Sequence, residues 1–240
     1  MRDAYFSKRH FLFDLDGTLV DTEKFHAAAE ARLLNDFGIK MPPREITRKY
    51  AGLPTESYIE KLAGYRGALN ELMSQKNRIM KSMVNEKGIR PIPGMLGLVR
   101  DLAGSGTPIF VVSSSDRSWI RRCLDVAFRE KGKSYTYGDY FKLNFISGAE
   151  VKNPKPAADI FLEAKRRILK QRGSFGSPGT EWIVVGDSLA DMEGALNAKM
   201  KAFILGTFRD RPAKNDNVAV FSTPKRLAVY LKNMIKVMAV

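Results

Sequence analysis

The sequence predicts an α/β fold in which a parallel sheet is covered by helices on both faces. The first observation is that short apolar segments alternate with helical segments from Pro91 to the end of the chain. Segments that are apolar throughout are typical of parallel strands, because such strands are buried on both faces. The second observation is that residues 22–88 have helical spacing and no clear strand. This predicts an all-helical insert after the first strand.

The elements before Pro91 follow from local signals. Residues 8–14 form the first predicted strand, because they contain the apolar run Phe11-Leu12-Phe13. Thr22 near the start and Gly38 at the end bound the first helix. The predicted helices of the insert cover residues 22–37, 44–51, 55–63 and 67–87.

The turn residues Pro91-Ile92-Pro93-Gly94 mark the return to alternating strands and helices. The predicted strands cover residues 108–113, 143–146, 182–186, 201–205 and 218–221. The predicted helices cover residues 95–103, 116–130, 156–171, 189–198 and 224–238. We therefore expect an α/β core formed by residues 1–21 and 89–240, and a helical cap domain formed by residues 22–88.

Composition limits the class of protein. A chain of 240 residues with a mean hydropathy of -0.25 can bury one sizeable core and a smaller insert. No apolar run approaches the ~18 residues of a membrane helix, and the N-terminus lacks the apolar segment of a signal peptide. Cys123 is the single cysteine, so no internal disulfide can form. We expect a cytoplasmic protein without a membrane partner, as a monomer or weak dimer.

The chain is strongly basic. It has 40 basic and 26 acidic residues, which gives a net charge of +14. Such a surface attracts anionic substrates or nucleic acids, but no zinc-ligand spacing, repeat or RNA-recognition aromatic motif accompanies it. The plainer interpretation is a solvated basic face, and a nucleic-acid partner is the less favoured alternative.

Two carboxylates follow the first predicted strand. Asp14 and Asp16 stand directly before Gly17, whose backbone freedom allows a sharp turn. Two acids at this spacing just past a strand end can meet at one small site. This arrangement suits a hard cation with oxygen ligands beside a carboxylate nucleophile or acid. Taken alone, the pattern has a plain turn and a calcium loop as its alternatives.

Two further segments carry groups that bind anions. Ser113-Ser114-Ser115 follows an apolar strand and precedes a helix, where hydroxyl and N–H groups form either an oxyanion site or an ordinary helix cap. Lys155 lies just before a predicted helix. A lysine there is normally solvated, but beside phosphates and carboxylates it would neutralise charge.

A fourth segment adds two carboxylates. Asp187 follows an apolar strand in the same position as Asp14, and Asp191 lies four residues later on the same helical face. The pair can complete an oxygen cage for Mg²⁺. Because parallel sheets bind ligands at the carboxyl ends of their strands, we expect these groups to share one site.

With these four motifs in this order and the helical insert in this gap, the chain resembles hydrolases of the haloacid dehalogenase superfamily. The resemblance covers essentially the whole chain and is to the small-helical-cap type, which includes relatives of phosphoglycolate phosphatase and β-phosphoglucomutase. It implies a three-layer, Rossmann-like core with a parallel sheet and an inserted all-helical cap.

The resemblance also implies roles for the motif residues. Asp14 would be the nucleophile that forms an aspartyl-phosphate, and Asp16 would be the general acid and then the base. Ser113 and Ser114 would bind phosphoryl oxygens, and Lys155 would stabilise Asp14. The implied Mg²⁺ ligands are Asp14, Asp16 through its backbone carbonyl, Asp187 and Asp191, with a supporting contact to Lys155 as the alternative for Asp191.

The resemblance also makes Thr18 and His26 candidates for binding substrate, and both residues, with one loop, bear on phosphatase or mutase activity. Thr18 stands where the phosphatases usually have threonine, whereas His26 stands where the mutases carry histidine on the first cap helix. The loop Gly52-Leu53-Pro54-Thr55-Glu56 resembles the cap specificity loop but lacks the arginine that the mutases place near Thr55. Lys76 on the long cap helix is a further candidate for binding substrate, with a solvated face as its alternative.

The lysine motif departs from the usual Gly-Lys-Pro, since this chain has Asn153-Pro154-Lys155-Pro156. Lys155 is preferred because Pro156 and a helix follow it, and Lys152 is the alternative. The leading prediction is a Mg²⁺-dependent phosphomonoester hydrolase of a small phosphorylated metabolite. The alternatives are a β-phosphoglucomutase-like phosphotransferase and a nucleic-acid-binding or regulatory protein on the same fold.

Overall fold

The computed structural model describes residues 9–50, 55–64, 69–107, 109–129, 140–141, 144–172, 179–206 and 215–236. The chain divides into two compact units. The α/β unit consists of Met1–Val20 and Arg90–Val240, and the helical unit consists of Asp21–Ile89.

The α/β unit contains a parallel sheet of six strands. These are β1 (Arg9–Phe13), β2 (Ile109–Ser113), β3 (Phe145–Ser147), β4 (Glu181–Gly186), β5 (Lys201–Leu205) and β6 (Val218–Phe221). Their order is β3-β2-β1-β4-β5-β6. Leu12 in the central strand β1 lies opposite Phe110 of β2 and Val184 of β4. All three are buried, as expected for parallel strands that are covered on both faces.

The helical unit contains α1 (Glu23–Asp36), α2 (Pro43–Tyr50), α3 (Thr55–Ala63) and α4 (Leu69–Lys87). Its core is a separate apolar cluster with one or more residues from each helix, among them Leu33, Ile46, Ile59 and Leu72. Such a cluster gives this unit its own source of hydrophobic stabilisation. Residues 52–54 of the predicted specificity loop lie outside the described residues.

The helices of the α/β unit are α5 (Met95–Gly104), α6 (Arg117–Ala127), α7 (Asp159–Arg172), α8 (Leu189–Asn197) and α9 (Pro224–Lys236). Phe161 of α7 and Met192 of α8 pack into the same buried cluster as Leu12. Helix α7 begins three residues later than predicted, because the Ala157 N–H donates to Pro154 O at 2.9 Å and closes a turn there. No helix among the described residues has the length and apolar character needed to cross a membrane.

The chain segments just before and just after the helical insertion are hydrogen-bonded to each other. Val20 forms an antiparallel bridge with Pro91. The Ile92 N–H donates to Leu19 O at 2.9 Å. The chain therefore leaves β1 and returns toward α5 through neighbouring, hydrogen-bonded segments.

Candidate active site

The carboxyl ends of the central strands bring three acidic side chains together. Asp14 follows β1, Asp187 follows β4, and Asp191 lies in the first turn of α8. One carboxylate oxygen from each lies within 4.8 Å of the others. Because β1 and β4 are parallel neighbours, their ends meet at the same edge of the sheet.

Lys155 joins two of these acids. Its Nζ donates to Asp14 Oδ1 at 2.6 Å and to Asp191 Oδ1 at 2.7 Å. A third bond reaches the carbonyl oxygen of Val112, near the end of β2, at 2.9 Å. The three donors of the ammonium thus have three acceptors, and the side chain is only 5% exposed. Lys152 is exposed by contrast.

Asp191 is held by the start of its own helix. Its Oδ2 accepts from Ser188 Oγ at 2.6 Å and from Ser188 N at 3.2 Å, while its N–H donates to Ser188 Oγ at 3.1 Å. This reciprocal capping box leaves Oδ1 for Lys155. Gly186 makes room for the arrangement, because a Cβ at that position would overlap the Asp191 side chain.

Asp187 approaches the turn that follows Asp16. Gly17 has a φ of +79°, and a Cβ there would overlap the Asp187 carboxylate. Glycine is therefore required by both the backbone conformation and the close approach. Thr18, which is fully buried, donates from Oγ1 to Asp187 Oδ1 at the long distance of 3.5 Å.

Burial sets the electrostatics of Asp14. The residue is 8% exposed, and burial raises the pKa of its carboxyl group to about 7, with Lys155 opposing the rise and Asp191 adding to it. The two neighbouring carboxylates in turn raise the pKa of Lys155, against the effect of its burial. Lys155 therefore stays charged, and it favours the ionised form of the acid beside it.

A family model for haloacid dehalogenase-like hydrolases matches residues 11–205, a stretch that contains all of these groups. The chain belongs to the haloacid dehalogenase-like hydrolase family. The resemblance stated from the motifs is thereby confirmed.

Individual curated proteins and solved structures are similar to this hydrolase. Probable pseudouridine-5'-phosphatase of Drosophila melanogaster is 30% identical over 203 residues, which cover 82% of this chain and 80% of that protein. Protein SUPPRESSOR OF QUENCHING 1 of Arabidopsis thaliana is 26% identical over 202 residues, and the chain spans 18% of its length. The solved structure of a HAD hydrolase, family IA, variant 3, from Entamoeba histolytica has a TM-score of 0.75 at 18% identity. The match covers 95% of this chain and 99% of that chain, which confirms the predicted fold class.

The donor set of this hydrolase fits a hard divalent cation. Asp14, Asp187 and Asp191 offer carboxylate oxygens, the ligands that Mg²⁺ prefers. Lys155 supplies one positive charge to this group, and burial alone disfavours the ionised form of Asp14. A cation held by the three acids would offset the remaining negative charge.

The serine segment is arranged as a turn before α6. Ser113 is 1% exposed, and its Oγ accepts from the Ser115 N–H at 3.1 Å. Ser114 is exposed, and its backbone packs closely on Gly148. Asp116 caps α6 by accepting from the N–H groups of Ser118 and Trp119. The residue that caps α6 is therefore Asp116 rather than one of the serines, and the Ser113 hydroxyl stabilises the turn that precedes Asp116.

Asp16 has partners that the sequence did not suggest. Its Oδ2 accepts from Ser115 Oγ at 2.9 Å, and its Oδ1 accepts from the Trp119 indole N–H at 3.0 Å. Trp119 lies in the first turn of α6, whereas Ser115 precedes the N-cap Asp116, so helical spacing does not group the two. The Asp16 carboxylate is directed toward β2 and α6, whereas the acid triad is formed by the other three carboxylates.

Two predicted substrate-binding residues lie in the helical unit. His26 is half-buried on α1. Lys76 is buried on α4, where its Nζ contacts Glu30 Oε1 at 2.7 Å and also Thr55 Oγ1. Thr55 in turn donates to Glu30 Oε1 at 2.7 Å. Lys76 is thus part of a buried ion pair within the helical unit rather than of a solvated face.

This ion pair leads to a prediction about stability. Lys76→Met should lower the free energy of unfolding by about 3–5 kcal/mol, because it leaves the Glu30 carboxylate buried without its cation. Glu30 and Lys76 are each only 8% exposed at the side chain. Lys87→Met, an exposed position on the same helix, should change stability by less than about 0.5 kcal/mol. Urea unfolding followed by circular dichroism measures both values.

The same pair has a pH signature. Although burial opposes it, Lys76 lowers the pKa of Glu30 below its usual 4.5. The pair therefore stabilises the fold above pH 4.5, and this contribution is lost as the pH falls through the lowered pKa. The stability difference between the parent protein and Lys76→Met should narrow on acidification. A difference that stays constant into that range would contradict an ionised pair.

Proposed function

We propose that this phosphatase of the haloacid dehalogenase-like family is Mg²⁺-dependent and hydrolyses a small phosphorylated metabolite. The observation that carries the proposal is the position of Lys155, which contacts Asp14 and Asp191 at once, while a carboxylate oxygen of Asp187 lies within 4.8 Å of one from each of these acids. This arrangement combines a nucleophilic carboxylate, a fixed cation and an oxygen-ligand set at one strand edge. Phosphoryl transfer requires these three elements, because charge must be neutralised around the transferred group.

In the first half-reaction, a carboxylate oxygen of Asp14 attacks phosphorus. A bond from Asp14 to phosphorus forms, and the bond from phosphorus to the substrate oxygen breaks. Asp16 gives its proton to that leaving oxygen. Lys155 holds Asp14 in place and balances negative charge on the phosphoryl group.

In the second half-reaction, Asp16 accepts a proton from a water molecule that attacks the aspartyl-phosphate. The water oxygen forms a bond to phosphorus, the bond from phosphorus to Asp14 breaks, inorganic phosphate leaves, and Asp14 is restored as a carboxylate. Mg²⁺, held by Asp14, Asp187 and Asp191 with the backbone carbonyl of Asp16, would supply further charge neutralisation at the phosphoryl oxygens. Ser113 and Ser114 stand at the end of β2, where hydroxyl and N–H donors suit the same oxygens.

The test is phosphate release from a panel of monoesters in the presence of Mg²⁺ and after treatment with EDTA. The panel contains sugar phosphates, phosphoglycolate, glycerol phosphates and nucleotides, together with pseudouridine 5′-phosphate because of the named activity of the Drosophila relative. We expect EDTA to lower turnover by at least about 100-fold and added Mg²⁺ to restore it, because a metal contributes several kcal/mol of charge stabilisation.

Other results of this experiment would favour one of the alternative functions. Turnover that is unaffected by EDTA would contradict metal dependence while leaving phosphatase activity in place. Conversion of β-glucose 1-phosphate with a bisphosphate activator, without release of phosphate from the panel, would assign a phosphotransferase. If no substrate releases phosphate and the protein binds DNA or RNA in a salt-dependent manner, the result would favour a nucleic-acid-binding function for the basic surface.

A further inference from the structure

Each oxygen of the Asp16 carboxylate accepts a hydrogen bond from a neighbouring side chain. The indole N–H of Trp119 donates to Oδ1 at 3.0 Å, and the hydroxyl of Ser115 donates to Oδ2 at 2.9 Å. Two donors on different oxygens of a planar carboxylate restrict rotation about both side-chain bonds. The direction in which Asp16 can offer a proton is therefore set by its neighbours rather than by its own rotamer preference.

The backbone of each donor residue is itself fixed by a hydrogen bond. Trp119 is 2% exposed, and Asp116 fixes the first turn of its helix by accepting from the Trp119 N–H at 3.0 Å. The carbonyl oxygen of Ser115 accepts from Ser147 Oγ at 2.7 Å. A buried indole N–H can only donate and requires an acceptor. Asp16 provides that acceptor.

We propose that Trp119 is a positioning residue for acid–base catalysis, which holds the Asp16 carboxyl group where it protonates the leaving oxygen. This inference rests on the proposed function, in which Asp16 is the general acid. A general acid must lie within hydrogen-bond reach of the atom that it protonates. Small errors in its placement therefore cost large factors in rate.

The test compares two leaving groups in Trp119→Phe. Phenylalanine keeps much of the buried ring and removes the N–H donor. An alkyl phosphate releases an alkoxide-like oxygen that must receive a proton, whereas p-nitrophenyl phosphate releases a phenolate that leaves without one. kcat/KM reports the steps up to departure of the leaving group. It is measured with p-nitrophenyl phosphate and with the alkyl phosphate that the parent protein hydrolyses fastest.

We expect Trp119→Phe to lower kcat/KM for the alkyl phosphate by about 10- to 100-fold and for p-nitrophenyl phosphate by less than about 2-fold. Equal losses with both substrates would overturn the inference, because a general structural role affects both reactions alike. Unchanged values with both substrates would overturn it as well. A parent protein that hydrolyses neither ester would contradict the proposed function itself, so the two failures are distinguishable.

Trp182 provides the matched control, since it is the other tryptophan of the chain. It is 8% exposed on β4 and its ring packs on His10, outside the proposed machinery. Trp182→Phe should leave the ratio of the two kcat/KM values unchanged. A second replacement protects the test against misfolding of Trp119→Phe: 3-benzothienylalanine at position 119 keeps both fused rings and exchanges the N–H for sulfur. It should reproduce the same selective loss, and an unchanged ratio would overturn the inference.

Discussion

Asp14→Asn is expected to lower kcat by roughly 10⁴-fold or more, on the scale seen when a nucleophile is removed from other hydrolases. The amide oxygen is a poor nucleophile and cannot form the aspartyl-phosphate. The fold should tolerate the change, because asparagine has the size of aspartate and Asp191 still pairs with Lys155. Steady-state phosphate release and thermal unfolding measure the two effects.

The control for this change is Asp125→Asn, which makes the same substitution at a half-buried position on α6. It should leave kcat within about 2-fold of the parent value, as expected for a site away from the chemistry. Activity of Asp14→Asn within about 10-fold of the parent would contradict nucleophilic catalysis by this residue.

Lys155→Met is expected to lower kcat/KM by about 10²–10³-fold, the usual cost of removing one preorganised charge-stabilising donor. The variant leaves Asp14 and Asp191 without the ammonium that both contact. Near-ultraviolet circular dichroism shows whether the core packing survives. Phosphate release from the best substrate of the panel measures the rate.

Lys152→Met decides between the two lysines that the sequence offered. Lys152 is exposed, so the change should lower kcat/KM by less than about 2-fold. A larger loss in Lys152→Met than in Lys155→Met would reverse the assignment and would place the exposed lysine at the phosphoryl group. Lys152→Met and Lys155→Met each remove one positive charge from a chain with a net charge of +14, so a difference in activity between them does not come from the net charge.

The sequence predicted the sheet well because its strands are almost wholly apolar. The central strand β1 and its neighbour β4 are buried on both faces, and short apolar runs that alternate with helices are typical of such strands. Segment ends were less predictable. The predicted helix 156–171 begins at Asp159, because the turn at Pro154 competes with helix formation and periodicity does not detect such a turn.

The candidate site was predictable to the extent that strand ends determine it. Asp14 and Asp187 follow neighbouring parallel strands, so their proximity follows from topology. The partners of buried polar groups were not predictable in this way. Trp119 reaches Asp16 across 103 positions of the chain, and Lys76 reaches Glu30 across 46. Both contacts depend on how helices pack, which a local pattern does not encode.

The paired ends of the helical insertion bear on how such a protein can change. Val20 and Pro91 are bridged, so the long excursion between them begins and ends at almost the same point. Loop-closure entropy grows only with the logarithm of loop length, so an excursion with joined ends can lengthen or shorten at small thermodynamic cost. Evolution, or a protein engineer, can therefore exchange the helices between these two residues for others without rebuilding the sheet that carries the acids.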